Sequence, residues 1–233
     1  MQNNGNRQKY GANQVIIGIM IANIHLNPTA KQSEAIRMDY FRENIIQEIK
    51  QRKAGTNYKL LDIGCSQDDF STDLENLEAF GLDIEDSNFY DKDHFEKVNL
   101  DTNKLPYKDE TFDFIVAGEV LEHLIRPFET IEEMGRVLKP GGVMYISTPT
   151  PHCLTEIAKE IIGSKSVDVP NQHLNLFGRT HLIAYVEKQG LTLEKYYHYK
   201  SYWPLPGNNH IIITSLYTPA LFGYQIIYKF KKI

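Results

Sequence analysis

Cysteine is scarce in this sequence, tryptophan occurs once, and no apolar run is long enough to cross a membrane. The two cysteines, Cys65 and Cys153, have neither zinc-ligand nor redox-pair spacing. That excludes zinc-finger and thiol–disulfide chemistry, and a reducing, cytoplasmic location is expected. The most apolar early stretch, Val15 to Ala22, stops at Asn23 and His25, well short of the roughly 20 residues that a spanning helix needs. No small-x-small cleavage pattern follows it, so it does not read as a secretion signal. An excess of basic charge is missing too: 25 Lys and Arg stand against 30 Asp and Glu, for a net charge of −5. Without a local basic patch, no nucleic-acid partner is expected. Repeats and low-complexity tracts are absent, which excludes solenoids.

What is present is the composition of a folded globular protein, 42% hydrophobic and 24% charged over 233 residues, enough for one large domain. Residues 1–13 are rich in Asn, Gln and Gly and have no apolar period, so residues 1–32 are expected to form a leader and potential lid before a domain at 33–233. From Ser33 to Lys53 the positions Ile36, Tyr40, Phe41, Ile45, Ile46 and Ile49 recur at helical spacing. Strands are expected at Tyr58–Ile63, Glu78–Asp83, Thr111–Ala117, Gly142–Ser147, Leu191–Tyr199 and Tyr224–Phe230, with helices at Phe128–Leu138 and Thr180–Gln189 and a short one between the first two strands. Strands alternating with helices give an α/β fold whose mostly parallel sheet is covered on both faces. Tyr202 to Gly207, with two prolines, reads as a rigid turn, and the alternating Tyr196, Tyr197 and Tyr199 read as the faces of an edge strand.

In such a sheet the ligand lies beyond the carboxyl ends of the strands. The first strand ends Asp62-Ile63-Gly64-Cys65-Ser66 and the second ends at Asp83, 21 residues after Asp62. A glycine turn admits close backbone approach, and an acid about 20 residues on suits ribose hydroxyls. This pattern alone leaves NAD, FAD and S-adenosylmethionine open as ligands.

Six segments narrow the choice. Leu61-Asp62-Ile63-Gly64-Cys65, Gly81-Leu82-Asp83-Ile84, Asp101-Thr102-Asn103-Lys104-Leu105-Pro106-Tyr107, Phe112-Asp113-Phe114-Ile115-Val116, Glu119-Val120-Leu121-Glu122-His123 and Arg136-Val137-Leu138-Lys139-Pro140-Gly141-Gly142 occur in this order. Together they resemble the small-molecule class I S-adenosylmethionine-dependent methyltransferases of the methyltransferase type 11-like kind, strongly over 58–150 and weakly over His173 to Gly190. The resemblance implies a Rossmann-like, doubly wound, mostly parallel seven-stranded sheet with an antiparallel last strand. It implies S-adenosylmethionine as cofactor, S-adenosylhomocysteine as product and a small-molecule acceptor. Asp62, Gly64, Cys65 and Ser66 would lie toward the methionine part of the cofactor. Asp83 and Ile84 would meet the ribose, and Leu100, Asp101 and Thr102 the adenine, while Gly118 and Glu119 would face the cofactor or the acceptor. The family's further glycines are replaced here by Ser66 and Asp68, which motivates an alternative reading as an inactive scaffold.

Methyl transfer needs a base only when the acceptor is a poorly ionised hydroxyl. His123 is the first candidate and His173, in the connection expected to cover the acceptor, the second. Residues 150–180 and 200–222 are expected on the acceptor side. The Glu-Val-Leu-Glu-His stretch also resembles that of quinone-pathway O-methyltransferases, in which such residues can gather a divalent metal. Here Glu122 and His123 are read first as capping and solvating the helix, and no metal site is expected.

Overall fold

A computed structural model describes residues 25–26, 30–65, 76–86, 93–161, 163, 173–205, 209–214, 218 and 220–233. In chain order the elements are β1 (His25–Leu26), α1 (Ala30–Gln51), β2 (Tyr58–Ile63), β3 (Leu77–Asp83), β4 (Phe95–Lys97), β5 (Phe112–Gly118), a 3-10 turn at Leu121–His123, α2 (Pro127–Val137), β6 (Leu138–Pro149), α3 (Leu154–Ile161), α4 (Arg179–Glu187), β7 (Leu191–Leu205), β8 (Asn209–Thr214) and β9 (Gly223–Lys232). They build one nine-stranded sheet in the order β1-β8-β7-β9-β6-β5-β2-β3-β4. From β4 to β6 every pairing is parallel, and β9 lies antiparallel between β6 and β7. Seven of these strands are the expected doubly wound sheet with its antiparallel last member, and β8 and β1 extend it beyond β7.

Alternation along β5 assigns the two faces. Ile115 and Ala117 pack with Leu61, Met144 and Ile146 under α2 and α4, through Ile131, Met134, Leu182 and Val186. Phe114 and Val116 pack on the other face with Leu60, Val143 and Tyr145, covered by Phe41 and Ile45 of α1. With a period of two, neighbouring residues must point to opposite faces. Phe112 departs from this period: it belongs to the first cluster although it stands two residues from Phe114, because the ladder to β6 shifts register between them.

One expectation is corrected here. Tyr202–Leu205, expected as the start of a rigid turn, is strand instead: β7 runs to Leu205 and pairs Pro204 with His210 of β8. Along Leu191–Tyr199, β7 pairs with β9, and β8 joins its other side only from Lys200 to Leu205. The expected short helix after β2 and the Ser66 and Asp68 replacements lie outside the described residues, as do residues 1–24. Among the described residues no helix is long and apolar enough to cross a membrane.

The loop from Leu105 to Asp109 is held by one side chain. The Arg136 guanidinium donates to the carbonyls of Tyr107 at 2.8 Å and Leu105 at 3.0 Å, to Asp109 at 2.8 Å and to Glu133 at 2.7 Å. The hydrogen bond from Arg136 holds Glu133 below the usual carboxylate range. At about 1 kcal/mol net per hydrogen bond, Arg136→Met is expected to cost roughly 2–4 kcal/mol. A chemical-denaturation midpoint unchanged from the parent protein would contradict this.

Candidate functional site

At the carboxyl end of the parallel strands, two backbone ties bring the loops together. The amides of Gly64 and Cys65 donate to the carbonyl of Leu82 at 2.8 and 3.4 Å, and the amide of Val98 donates to the carbonyl of Asp83 at 2.8 Å. The turn after β2, the end of β3 and the loop after β4 therefore share one rim. Between that rim and the end of β5 opens a cavity of about 320 Å³ lined by Gly64, Asp83, Ile84, Asn99, Leu100, Asp101, Gly118, Glu119 and His123, with Leu82, Val98, Val120 and Leu124 between them.

Gly64 has φ +77°, and a Cβ built there would lie 2.4 Å from Cγ2 of Val120 across the cavity wall. Only glycine combines this left-handed backbone with that approach. Gly118 is constrained from behind: a Cβ there would come within 3.1 Å of Nε of Arg37 and 3.4 Å of Phe41. Asp83 uses Oδ1 to accept the amide of Glu85 at 3.0 Å. Asp101 uses Oδ1 to accept the amides of Ile125 and Arg126 at 2.7 and 3.2 Å, fixing the chain that enters α2. Each carboxylate thus accepts from backbone amides while bordering the cavity.

Eight of the residues singled out from the sequence line this cavity: Gly64, Asp83, Ile84, Leu100, Asp101, Gly118, Glu119 and His123. Four others do not. Asp62 is buried within β2. Cys65 is buried too, its thiol pushed far above the usual range first by burial and then by Asp62 and Asp83. Thr102 lines a neighbouring polar hollow with Lys104, Arg126 and Glu129. His173 sits outside the lining, with its ring centroid 4.8 Å from that of His123. Ser66 lies outside the described residues.

Sequence reasoning missed Asn99, whose Oδ1 accepts the amide of Asp101 at 2.9 Å and so shapes the loop that carries it. It also missed a polar group behind Glu119. Glu119 has φ +57°, its amide donates to the carbonyl of Ser147 at 3.0 Å, and its Oε2 accepts from the Gln225 side chain on β9. Glu122, expected at the solvated end of a helix, is completely buried. Burial and then the charge of Glu119 hold its carboxyl well above the ordinary range, against the pull of Arg37. Tyr199 of β7 is buried beside them, its hydroxyl pushed far up by burial and by Glu119. Glu122, His123 and His173 each offer an atom within 4.8 Å of the others, the spacing of a metal-ligand group.

A family model described as a methyltransferase domain matches residues 34–196. Among curated proteins, the chain is similar to the biotin biosynthesis bifunctional protein of Cellvibrio japonicus, 33% identical over 141 residues that cover 57% of this chain and 27% of that protein. It is also similar to the ubiquinone biosynthesis O-methyltransferase of Pelagibacter ubique, 34% identical over 128 residues that cover 48% of this chain and 52% of that protein. The match therefore spans about half or less of the length of these relatives. Among solved structures, the YcgJ protein from Bacillus subtilis has a TM-score of 0.57 at 12% identity, covering 83% of this chain and 98% of that one. A SAM-dependent methyltransferase from Archaeoglobus fulgidus has a TM-score of 0.50 at 16% identity, covering 82% and 94%. At these identities the likeness is one of fold.

Proposed function

Because the chain belongs to the methyltransferase-domain family, we propose that it transfers a methyl group from S-adenosylmethionine to an oxygen of a small molecule such as a sugar, a lipid precursor or a secondary metabolite. The observation that carries this reading is the cavity bordered together by the Gly64 turn, Asp83, Asp101 and Glu119. Its about 320 Å³ suits a nucleoside-sized ligand. When bound, the cofactor supplies a methyl group already activated on a sulfonium cation.

The remaining work falls to side chains of this chain. Asp83, whose Oδ1 accepts the Glu85 amide, borders the cavity where ribose hydroxyls would donate to its carboxylate through charge-assisted hydrogen bonds. Asp101, braced by the amides of Ile125 and Arg126, suits the exocyclic amine of adenine as a hydrogen-bond acceptor. Glu119 brings carboxylate charge to the wall of a cavity that must receive a cation, and the amide of Gln225 holds that carboxylate in place. His123 is the exposed imidazole on the same wall and takes the proton from an acceptor hydroxyl. The relatives named for ubiquinone biosynthesis O-methylation favour an oxygen acceptor for this chain too.

The test is to incubate the purified chain with methyl-labelled S-adenosylmethionine and a low-molecular-mass metabolite fraction. Label is expected in a small-molecule product. His123→Ala is expected to slow transfer by about 10²- to 10⁴-fold, the contribution of a positioned base. Label on protein or nucleic acid alone would contradict the small-molecule reading, and unchanged turnover in His123→Ala would remove that residue from the base role.

A further inference from the structure

Under α1, toward the carboxyl end of the parallel strands, the apolar layer gives way to a row of small and polar residues. Successive side chains of a strand alternate between faces. Ser147, two residues beyond Tyr145, and Gln225, two before Ile227, therefore continue the face of β6 and β9 that α1 covers. Tyr199 of β7 belongs to the same face, and β5 adds Gly118, the ladder partner of Ser147, which has no side chain. These four strands are neighbours in the sheet, so the row runs unbroken across it. Ser147 and Tyr199 are completely buried, Gln225 nearly so, and the buried Arg37 of α1 lies over Gly118.

Buried polar atoms are ordinarily paired. Here Oγ of Ser147, Oε1 of Gln225 and Oε1 of Glu119 have no hydrogen-bond partner, and the Tyr199 hydroxyl faces the Arg37 guanidinium without closing a hydrogen bond to it. The amide of Gln225 cannot simply turn over to improve this. A carboxylate oxygen accepts, so the NH₂ group must stay on Oε2 of Glu119 and the carbonyl oxygen must point elsewhere. Glu119 joins the row to the cavity: it lines the cavity, its amide donates to the Ser147 carbonyl, and its side chain holds Gln225. Its backbone stands at φ +57°, a strained conformation of the kind that clusters at functional sites.

The open valences define a ligand. Oε1 of Glu119 and Oε1 of Gln225 can only accept, while the Ser147 and Tyr199 hydroxyls can donate or accept. An anionic group would meet the Glu119 carboxylate, and an ammonium group would meet Arg37. A neutral hydroxyl both donates and accepts, and it satisfies every member of the row. Neighbouring strands stand about 4.8 Å apart, so residues on β6, β9 and β7 address separate hydroxyls rather than one. We propose that Ser147, Tyr199 and Gln225 determine acceptor specificity, holding a neutral, polyhydroxylated ring through hydroxyls other than the one that is methylated. This rests on the methyl-transfer reading given above and narrows its acceptor to a sugar-like polyol. The acceptor reaches the row past Gly118 and Glu119, the members that border the cavity.

The test uses the full chain, methyl-labelled S-adenosylmethionine and the low-molecular-mass metabolite fraction, with Ser147→Ala and Tyr199→Phe as variants. The labelled product of the parent is expected to be degraded by periodate, which cleaves the bond between carbons bearing neighbouring hydroxyls. Each variant is expected to need about 2- to 10-fold more of the fraction for half-maximal transfer, the worth of one neutral hydrogen bond, with S-adenosylhomocysteine affinity unchanged. Because the hydroxyls removed have no partner in the folded protein, neither variant should melt below the parent. A row that only supports the fold predicts the reverse, lower melting with unchanged half-saturation, and that result overturns the proposal. A labelled small molecule that resists periodate also overturns it and leaves the methyl-transfer reading standing. Absence of any labelled small molecule defeats that reading and this inference with it.

Discussion

Gly64→Ala is expected to lose stability and cofactor-product binding together. Gly64 occupies φ +77°, and its new Cβ would fall 2.4 Å from Cγ2 of Val120. A left-handed backbone costs a residue other than glycine about 1–2 kcal/mol. Overlap in a packed wall adds about 1–3 kcal/mol. Together these lower the melting temperature by several degrees in a domain of this size. Since Gly64 and Val120 both line the cavity, relief of the clash pushes one wall into the space a ligand would use. Gly55→Ala is the control: Gly55 has φ +74°, but nothing lies within 4 Å of its built Cβ, so it bears the backbone cost alone. Thermal melting of the two variants with calorimetric titration of S-adenosylhomocysteine checks the expectation. Equal losses in both, with binding intact in Gly64→Ala, would show that the Val120 contact is unimportant.

Glu122→Gln is expected to reverse its effect on stability with pH. The folded protein holds the Glu122 carboxyl well above its ordinary 4.5 through burial and the neighbouring Glu119. A group whose folded value is raised contributes stability that is fully present below 4.5 and is lost as pH rises through the folded value. Each pH unit in that window removes about 1.4 kcal/mol. The glutamine is neutral at every pH and does not lose it. The parent should therefore be the more stable near pH 4, and the variant should gain relative to it as pH rises. Urea midpoints of both proteins across this range measure the difference, and a constant difference would show that Glu122 has no raised value.

The sheet was legible because its strands carry their own signals. Tyr58–Ile63 and Phe112–Gly118 are short apolar runs buried on both faces, and the Gly64 turn together with Asp83, 21 residues after Asp62, marks where their carboxyl ends meet. Less was legible where distant chain decides the outcome. Tyr202 to Leu205 contains a proline that reads as a turn, yet pairing with β8 extends the strand through it. The Glu-Val-Leu-Glu-His stretch reads as a solvated helix start, because nothing local shows that Arg37 and Tyr199, far away in sequence, close over Glu122. Asp62 and Cys65 belong to the same motif as Gly64 but are turned into the core. Motif membership identified the loop, and the pleat decided which of its residues border the cavity.

The central claim is that this cavity holds the nucleoside of S-adenosylmethionine with Asp83 on its ribose. Calorimetric titration of the full chain with S-adenosylhomocysteine and with NAD, repeated on Asp83→Ala, tests it without the acceptor. Hydrogen bonds to a charged group contribute about 1.5–3 kcal/mol each, so loss of the carboxylate is expected to weaken S-adenosylhomocysteine by roughly 10²-fold or more, with no NAD binding in either protein. Absence of S-adenosylhomocysteine binding to the parent protein, or tighter binding of NAD, would contradict the claim and favour a scaffold or a dinucleotide site.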